Sequence, residues 1–178
     1  MLMASASLWA EPRCNSMGFS VASIGAPPQG YVDFCSNNAR ACVLEGESQI
    51  SWTLDVRARI EAINAAVNAE IAFVSDREAL GLEDEWNYPR NCKGDCEDFA
   101  LEKRRRLVAA GFPSASLTMA IAFHEVQFFP HAVLLVESSK GTWVLDNFYD
   151  SALCWDAVPY IFTGRERPDG QWTRFMLP

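Results

Sequence analysis

An α+β fold is predicted by three features of the sequence. Apolar residues recur at helical spacing over 52–71, a second helix with recognisable ends covers 95–110, and beyond Pro113 the chain turns into short β-rich runs. Helices first and strands after place the helices on one side of an antiparallel sheet. The first helix is read from Trp52, Val56, Ile60, Ile63, Val67 and Ile71, which fall on one face. In the second, Asp95 takes the N-cap position and Asp98 the N3 position of a capping-box variant, with Gly111 and Pro113 ending the helix. Arg104, Arg105 and Arg106 lie toward its C-terminus, where cations suit the helix dipole, and read as a solvated face. Strands follow at 117–123, 131–137 and 142–146. Ser138-Ser139-Lys140-Gly141 closes the last two into a hairpin, and 158–163 and 172–176 flank a Pro168-Asp169-Gly170 turn.

Composition narrows the function. At 178 residues, 49% hydrophobic and 21% charged, the chain has the length and balance of one globular domain rather than a disordered or fibrous one. A net charge of −8 and pI near 4.7 disfavour a nucleic-acid or anionic-membrane partner. No apolar run reaches the ~18 residues of a transmembrane span. Residues 1–10, with small residues suited to cleavage, look like the remnant of a signal peptide lacking its basic start. Residues 11–50, rich in Gly, Pro, Ser and Asn, read as an irregular arm lying on the domain, and 51–178 as the domain itself. Six cysteines are many for a reducing compartment and form no Cys-x-x-Cys pair. Cys35 and Cys42 bracket a polar hexapeptide, and export would close them into a disulfide.

The chemistry concentrates in Gly94-Asp95-Cys96-Glu97-Asp98. Cys96 falls in the first turn of a helix, where free N–H groups and the dipole favour a thiolate. Only two histidines are available as a base. His131 opens a strand, and a four-residue turn pairing Glu137 with Thr142 makes Asp146 its diagonal neighbour on the same face. A one-residue slip would put the two on opposite faces. Thiol, imidazole and carboxylate in those roles form a catalytic triad, which is recognised by role rather than by chain order. Taken singly, a helical cysteine and a strand histidine are more often structural. The crowd of carboxylates around Cys96 has no packing purpose and favours the catalytic reading. His124 has no acidic neighbour at hairpin spacing and reads as structural. Trp86 is a packing aromatic, with a lesser claim as an oxyanion donor beside the Cys96 N–H.

Glu85-Trp86-Asn87-Tyr88-Pro89, the Gly94–Lys103 block, His131-Ala132-Val133-Leu134 and Leu145-Asp146-Asn147 resemble the bacterial transglutaminase-like cysteine proteinases, over roughly residues 50–162. Val67-Asn68 and Asp76 match as well. LapG-type members of that family are periplasmic proteases that release surface adhesins. The resemblance implies a papain-like/transglutaminase-like core with Cys96 as nucleophile, His131 as base and Asp146 as orienter. It also implies Ca²⁺ held by Asp95 and Glu97, a protein substrate and a periplasmic or otherwise exported location, and leaves a regulatory protein partner open. Phe128-Phe129-Pro130 departs from the glycine many relatives carry before the histidine, and Cys92 adds a thiol four residues before the nucleophile.

Calcium also follows from charge. Asp95, Glu97 and Asp98 disfavour a further negative charge on the Cys96 sulfur, more than a helix dipole of about half a charge offsets. Carboxylates suit an oxygen-coordinated cation, with Arg90 and Lys93 as the alternative neutralising groups. Three functions stay open at this stage. They are a cysteine endopeptidase, an acyl transferase or transglutaminase using the same triad with an amine acceptor, and a non-catalytic calcium-dependent binding module. A zinc site at Cys92, Cys96 and a histidine lacks the usual ligand spacing.

Overall fold

The computed structural model describes residues 13–79, 81 and 84–176. The signal-peptide reading of residues 1–10 lies outside them. In chain order the elements are β1 (Val21–Gly25), α1 (Gln29–Asn37), α2 (Leu54–Glu70), β2 (Ala72–Phe73), α3 (Asp76–Ala79), β3 (Lys93–Gly94) and α4 (Cys96–Ala109). The strands β4 (Leu117–His124), β5 (Pro130–Ser138), β6 (Gly141–Asp146), β7 (Tyr149–Cys154), β8 (Tyr160–Glu166) and β9 (Trp172–Phe175) follow. Seven strands form one antiparallel sheet in the order β1-β9-β8-β4-β5-β6-β7, and β2 and β3 form a separate two-residue parallel ladder.

Side chains alternate across the central strands, so that one sheet supports two cores. Met119, Leu134, Val136 and Leu145 face the helices, meeting Ile60 of α2 and Leu101 and Leu107 of α4. Val133, Leu135, Val144 and Phe162 face the other way, where Phe19 and Trp155 cover them. The β5–β6 register pairs Glu137 with Thr142 and Leu134 with Leu145, as the four-residue turn predicts. α2 begins at the Thr53 cap, whose side chain accepts from the Val56 N–H at 3.2 Å. Trp52 precedes that cap and stacks on Trp143 with ring centroids 4.4 Å apart.

Three expectations need correction. Residues 21–42, read as part of an irregular arm, carry β1, α1 and a 3-10 turn over Ala39–Cys42. β1 is an exposed edge strand paired with β9, and the nine-residue α1 buries only Gly30, Tyr31 and Phe34, too few to show a period. Arg104 is not solvated. It is 3% exposed, its Nη1 lies 2.6 Å from Glu166 Oε2 on β8, and its Nη2 donates to the Tyr31 hydroxyl at 2.9 Å. The same Glu166 oxygen accepts the Met119 N–H at 3.0 Å, so this buried network joins α1, α4, β4 and β8. Asp95 occupies the N-cap position of α4 but its side chain makes no cap bond, because it is turned to the acidic cluster described below.

Disulfides join Cys35 to Cys42 and Cys14 to Cys154, leaving Cys92 and Cys96 as free thiols. The Cys14 N–H donates to the Lys140 carbonyl and the Thr142 N–H to the Asn15 carbonyl, which lays residues 14–15 across the β5–β6 turn. The second bridge spans 140 residues. In the chain-entropy model a loop that long stabilises by about 5 kcal/mol, against roughly 2–3 kcal/mol for the short Cys35–Cys42 loop. Cys154→Ser is therefore expected to lower stability to urea unfolding more than Cys42→Ser does. An equal or reversed order would show that the arm gains nothing from its covalent tie.

Candidate active site

Cys96 is the first residue of α4, half-buried, with its N–H among those that have no intrahelical acceptor. A tight turn delivers it. Arg90 and Lys93 exchange two backbone hydrogen bonds of 3.0 Å, and Asn91 and Cys92 between them both have positive φ, 54° and 56°. Gly94 follows, and a Cβ there would meet the Asp98 side chain at 2.7 Å. Asp98 presses on this turn because its Oδ1 accepts the Asn87 N–H at 2.8 Å, which fastens the 84–88 segment over the helix start.

His131 and Asp146 meet across the hairpin. His131 Nε2 lies 3.0 Å from Asp146 Oδ1, with the two residues 4% and 2% exposed. The Asp146 carboxylate also accepts the Phe148 N–H at 3.1 Å and the Tyr160 hydroxyl. Burial alone would raise its pKa, but the bonds from His131, Tyr160 and Phe148 outweigh that and hold it below the usual carboxylate value. The imidazole is packed between rings, with Phe148 stacked at 5.1 Å and Tyr160 at 5.2 Å. Nδ1 is the ring nitrogen that Asp146 does not take. Cys96 and His131 line one cleft of about 620 Å³, and the N–H of Ala132 is directed at the Cys96 sulfur. Phe73, Ile121, Phe123, Phe129 and Pro130 give that cleft an apolar wall.

The acidic side of the cleft is crowded. Asp76, Asp95 and Glu97 each bring a carboxylate oxygen within 4.8 Å of the others. Asp95 Oδ2 accepts the Asp76 N–H at 3.2 Å, while its buried Oδ1 has no hydrogen-bond partner. The Cys96 thiol donates to Glu97 Oε2 at 3.0 Å. Burial and then Asp95 push the Glu97 carboxyl up to about 8, and burial pushes Asp98 up to about 8 as well. Burial, reinforced by Glu97, also raises the Cys96 thiol above its ordinary value.

All five residues singled out in the sequence thus line this cleft or its immediate wall: Cys96, Asp95 and Glu97 at the start of α4, His131 on β5 and Asp146 bonded behind it. Asp76 joins the two acids, although sequence reasoning had not counted it as a ligand. It lies 19 residues before Asp95, and only the short β2–β3 ladder brings the two segments together. Tyr160 was also missed, because nothing local in the sequence places β8 beside the Asp146 carboxylate. His124 is buried with its Nδ1 accepting the Val126 and Gln127 N–H groups at 3.3 Å, a loop-holding arrangement. The Trp86 indole N–H is engaged by Asp84 Oδ1 at 2.9 Å, and its ring packs edge-on to Tyr31.

A cysteine opening a buried helix, packed on an antiparallel sheet whose adjacent strands carry a bonded histidine and aspartate, defines the transglutaminase-like class of α+β fold. Residues 21–176 match the family of bacterial transglutaminase-like cysteine proteinases, BTLCP, and the chain belongs to that family. Calcium-bound LapG from Legionella pneumophila is similar in structure, with 25% identity and a TM-score of 0.58 over 66% of this chain and 68% of that one. A second structure of Legionella pneumophila LapG aligns with 27% identity and a TM-score of 0.58 over the same shares. An EGTA-treated form aligns with 27% identity and a TM-score of 0.57, over 66% of this chain and 67% of that one. No curated protein matches the chain.

Proposed function

We propose that this cysteine proteinase is a Cys-His-Asp endopeptidase that cleaves an exported or envelope protein and depends on calcium. The observation that carries the proposal is the buried 3.0 Å bond from His131 to Asp146, which leaves the other imidazole nitrogen for the thiol in the shared cleft. In this mechanism His131 takes the Cys96 proton as sulfur attacks the scissile carbonyl carbon, and the carbonyl oxygen becomes an oxyanion beside the Cys96 N–H. Collapse breaks the C–N bond, His131 protonates the leaving amine, and a thioester remains on Cys96. Water, deprotonated by His131, then attacks the thioester and releases the acid and the thiol. Asp146 keeps the imidazole in one tautomer and stabilises its cationic form. The two disulfides support an extracytoplasmic location. No helix among the described residues is long and apolar enough to cross a membrane. A fluorogenic peptide assay with and without added amine tests the reaction. Release of the free acid supports hydrolysis, and amide formation with the amine supports acyl transfer.

Asp76, Asp95 and Glu97 fit a hard divalent cation. Three carboxylates converge, and the unpartnered Asp95 Oδ1 sits among them. Bound there, the ion supplies positive charge that offsets the acids around Cys96. The chain's own part is to hold the Gly94–Cys96 turn and the 84–88 segment in place through Asp95 and Asp98. Activity is expected to vanish in EGTA, to return with Ca²⁺ and less fully with Mg²⁺, and to fall in Asp95→Ala, Glu97→Ala and Asp76→Ala. Undiminished turnover after thorough chelation would assign the neutralising role to Arg90 and Lys93.

A further inference from the structure

Among the described residues three aromatic side chains are exposed, Phe73, Phe128 and Phe148, and all three gather at one cleft. Phe73 lines it together with Cys96 and His131. Phe148 is stacked on His131. Phe128 leans on Phe123, another lining residue, with ring centroids 6.4 Å apart. Apolar side chains scattered singly over a surface need no explanation, whereas rings gathered at one place mark a contact with another molecule. β4 shows how the cleft comes to be apolar. Its alternate residues Leu117, Met119, Ile121 and Phe123 share the face that carries the helices. The first two are fully buried there, and the last two are half-buried and line the cleft instead. The β4–β5 register sets Pro130 opposite Phe123, and sets Ile121 opposite Ala132, whose N–H is directed at the Cys96 sulfur. The row therefore leads from the helix-facing core to the thiol.

Phe128 is the residue that packing explains least. It is 74% exposed, yet its φ is 59°, a left-handed conformation that glycine adopts freely and a bulky side chain disfavours. The β4–β5 loop holds it there. The Phe128 N–H donates to the His124 carbonyl at 2.8 Å and the His124 N–H to the Phe129 carbonyl at 2.9 Å, while His124 Nδ1 accepts the Val126 and Gln127 N–H groups. Neither backbone geometry nor burial favours a phenylalanine at this position, so its ring is explained by what comes to the cleft. We infer that this wall is a specificity subsite, with Ile121, Phe123 and Pro130 as its floor and Phe128 as its rim, which takes a large apolar side chain of the substrate within two residues of the scissile bond. The inference rests on the endopeptidase reading and names the substrate class for it. At about 620 Å³ the cleft falls in the ~300–1,000 Å³ range of ligand clefts. A second copy of the chain seated on these rings would cover Cys96 and His131, whereas a substrate has to reach them. Continuity with the thiol and imidazole in one cleft thus favours the substrate as occupant.

The test digests a mixture of tryptic peptides from a bacterial lysate, with the trypsin inactivated, using the calcium-loaded full chain, and mass spectrometry ranks the cut sites by rate. Sites with Leu, Ile, Met or Phe at one fixed position within two residues of the cut are expected to be cleaved roughly 10–100-fold faster than sites with Gly, Ser or Asp there. Phe128→Gly is expected to shrink that ratio several-fold with the fold intact, since glycine fits the turn. Phe123→Ala is expected to bring the ratio close to unity. A defect in the triad slows all sites alike and leaves the ratio untouched, so the ratio reports on the wall alone. An unchanged ratio in Phe123→Ala, or in Phe128→Gly should Phe123→Ala fail to fold, would overturn the proposal. An unchanged ratio combined with a parent dimer that Phe128→Gly dissociates in sedimentation velocity would overturn it in favour of a second copy as the occupant. A parent protein that cuts peptides without the apolar preference would overturn the subsite and leave the endopeptidase reading standing, whereas one that cuts none would refute that reading itself.

Discussion

Cys96→Ala is expected to abolish proteolysis, with kcat falling roughly 10⁵–10⁶-fold while the fold and its thermal transition persist. His131→Ala is expected to do the same, because without the imidazole neither the thiol nor the deacylating water loses its proton. Residues that act as one unit lose activity together, so the double variant should be no worse than either single one. Asp146→Asn differs in kind. It keeps the shape but reverses the preferred tautomer of His131, and a residual rate is expected after a fall of up to ~10⁴-fold. The Tyr160 hydroxyl, which now bonds Oδ2, would still hold the amide oxygen while the amide nitrogen faces His131 in place of Oδ1, at the loss of one bond from the Phe148 N–H, so this variant should fold. Initial rates on a cleaved peptide, beside circular dichroism of each variant, check all three. Full activity in His131→Ala would transfer the base role to His124.

A large stability effect is also expected far from the chemistry. Glu166→Ala removes the carboxylate that accepts from Arg104, the Tyr31 hydroxyl and the Met119 N–H. Arg104, with 4% of its side chain exposed, is then left as a charge without its counterion. Breaking a buried pair in this way destabilises by about 3–5 kcal/mol, because the desolvation of the remaining ion is no longer compensated. Tyr31→Phe removes one hydroxyl and leaves the ion pair, and about 1 kcal/mol is expected. Urea unfolding of both variants should show this order. A loss below 1 kcal/mol for Glu166→Ala would mean that Arg104 finds another partner or reaches water.

Sequence and structure agree most closely where a signal is local. The boundaries of α4 follow from Asp95, Gly111 and Pro113, and the observed helix differs by one residue at each end. The β5–β6 register follows from a four-residue turn, and it alone predicts that His131 and Asp146 share a face. What the sequence concealed depends on distant partners. Arg104 sits in a basic run that reads as solvated, and only the arrival of Tyr31 and Glu166, 73 and 62 residues away, buries it. β7, at Tyr149–Cys154, alternates too weakly to read as a strand, since its pattern mixes exposed and half-buried positions with Ala152 buried. The Asp95 side chain illustrates a conflict between two local rules. Its position favours a cap, but its Oδ2 accepts the Asp76 N–H instead, and the Asp98 carboxylate alone serves the turn.

The account stands or falls on Cys96 as the nucleophile of a calcium-dependent endopeptidase. The most direct measurement incubates the protein, with Ca²⁺, with the extracytoplasmic proteins of the cell it comes from, and then labels newly formed protein N-termini. Cys96→Ala and EGTA-treated wild type run in parallel. New N-termini confined to the calcium-loaded wild-type sample are the predicted result, and the same new N-termini in the Cys96→Ala sample would contradict it.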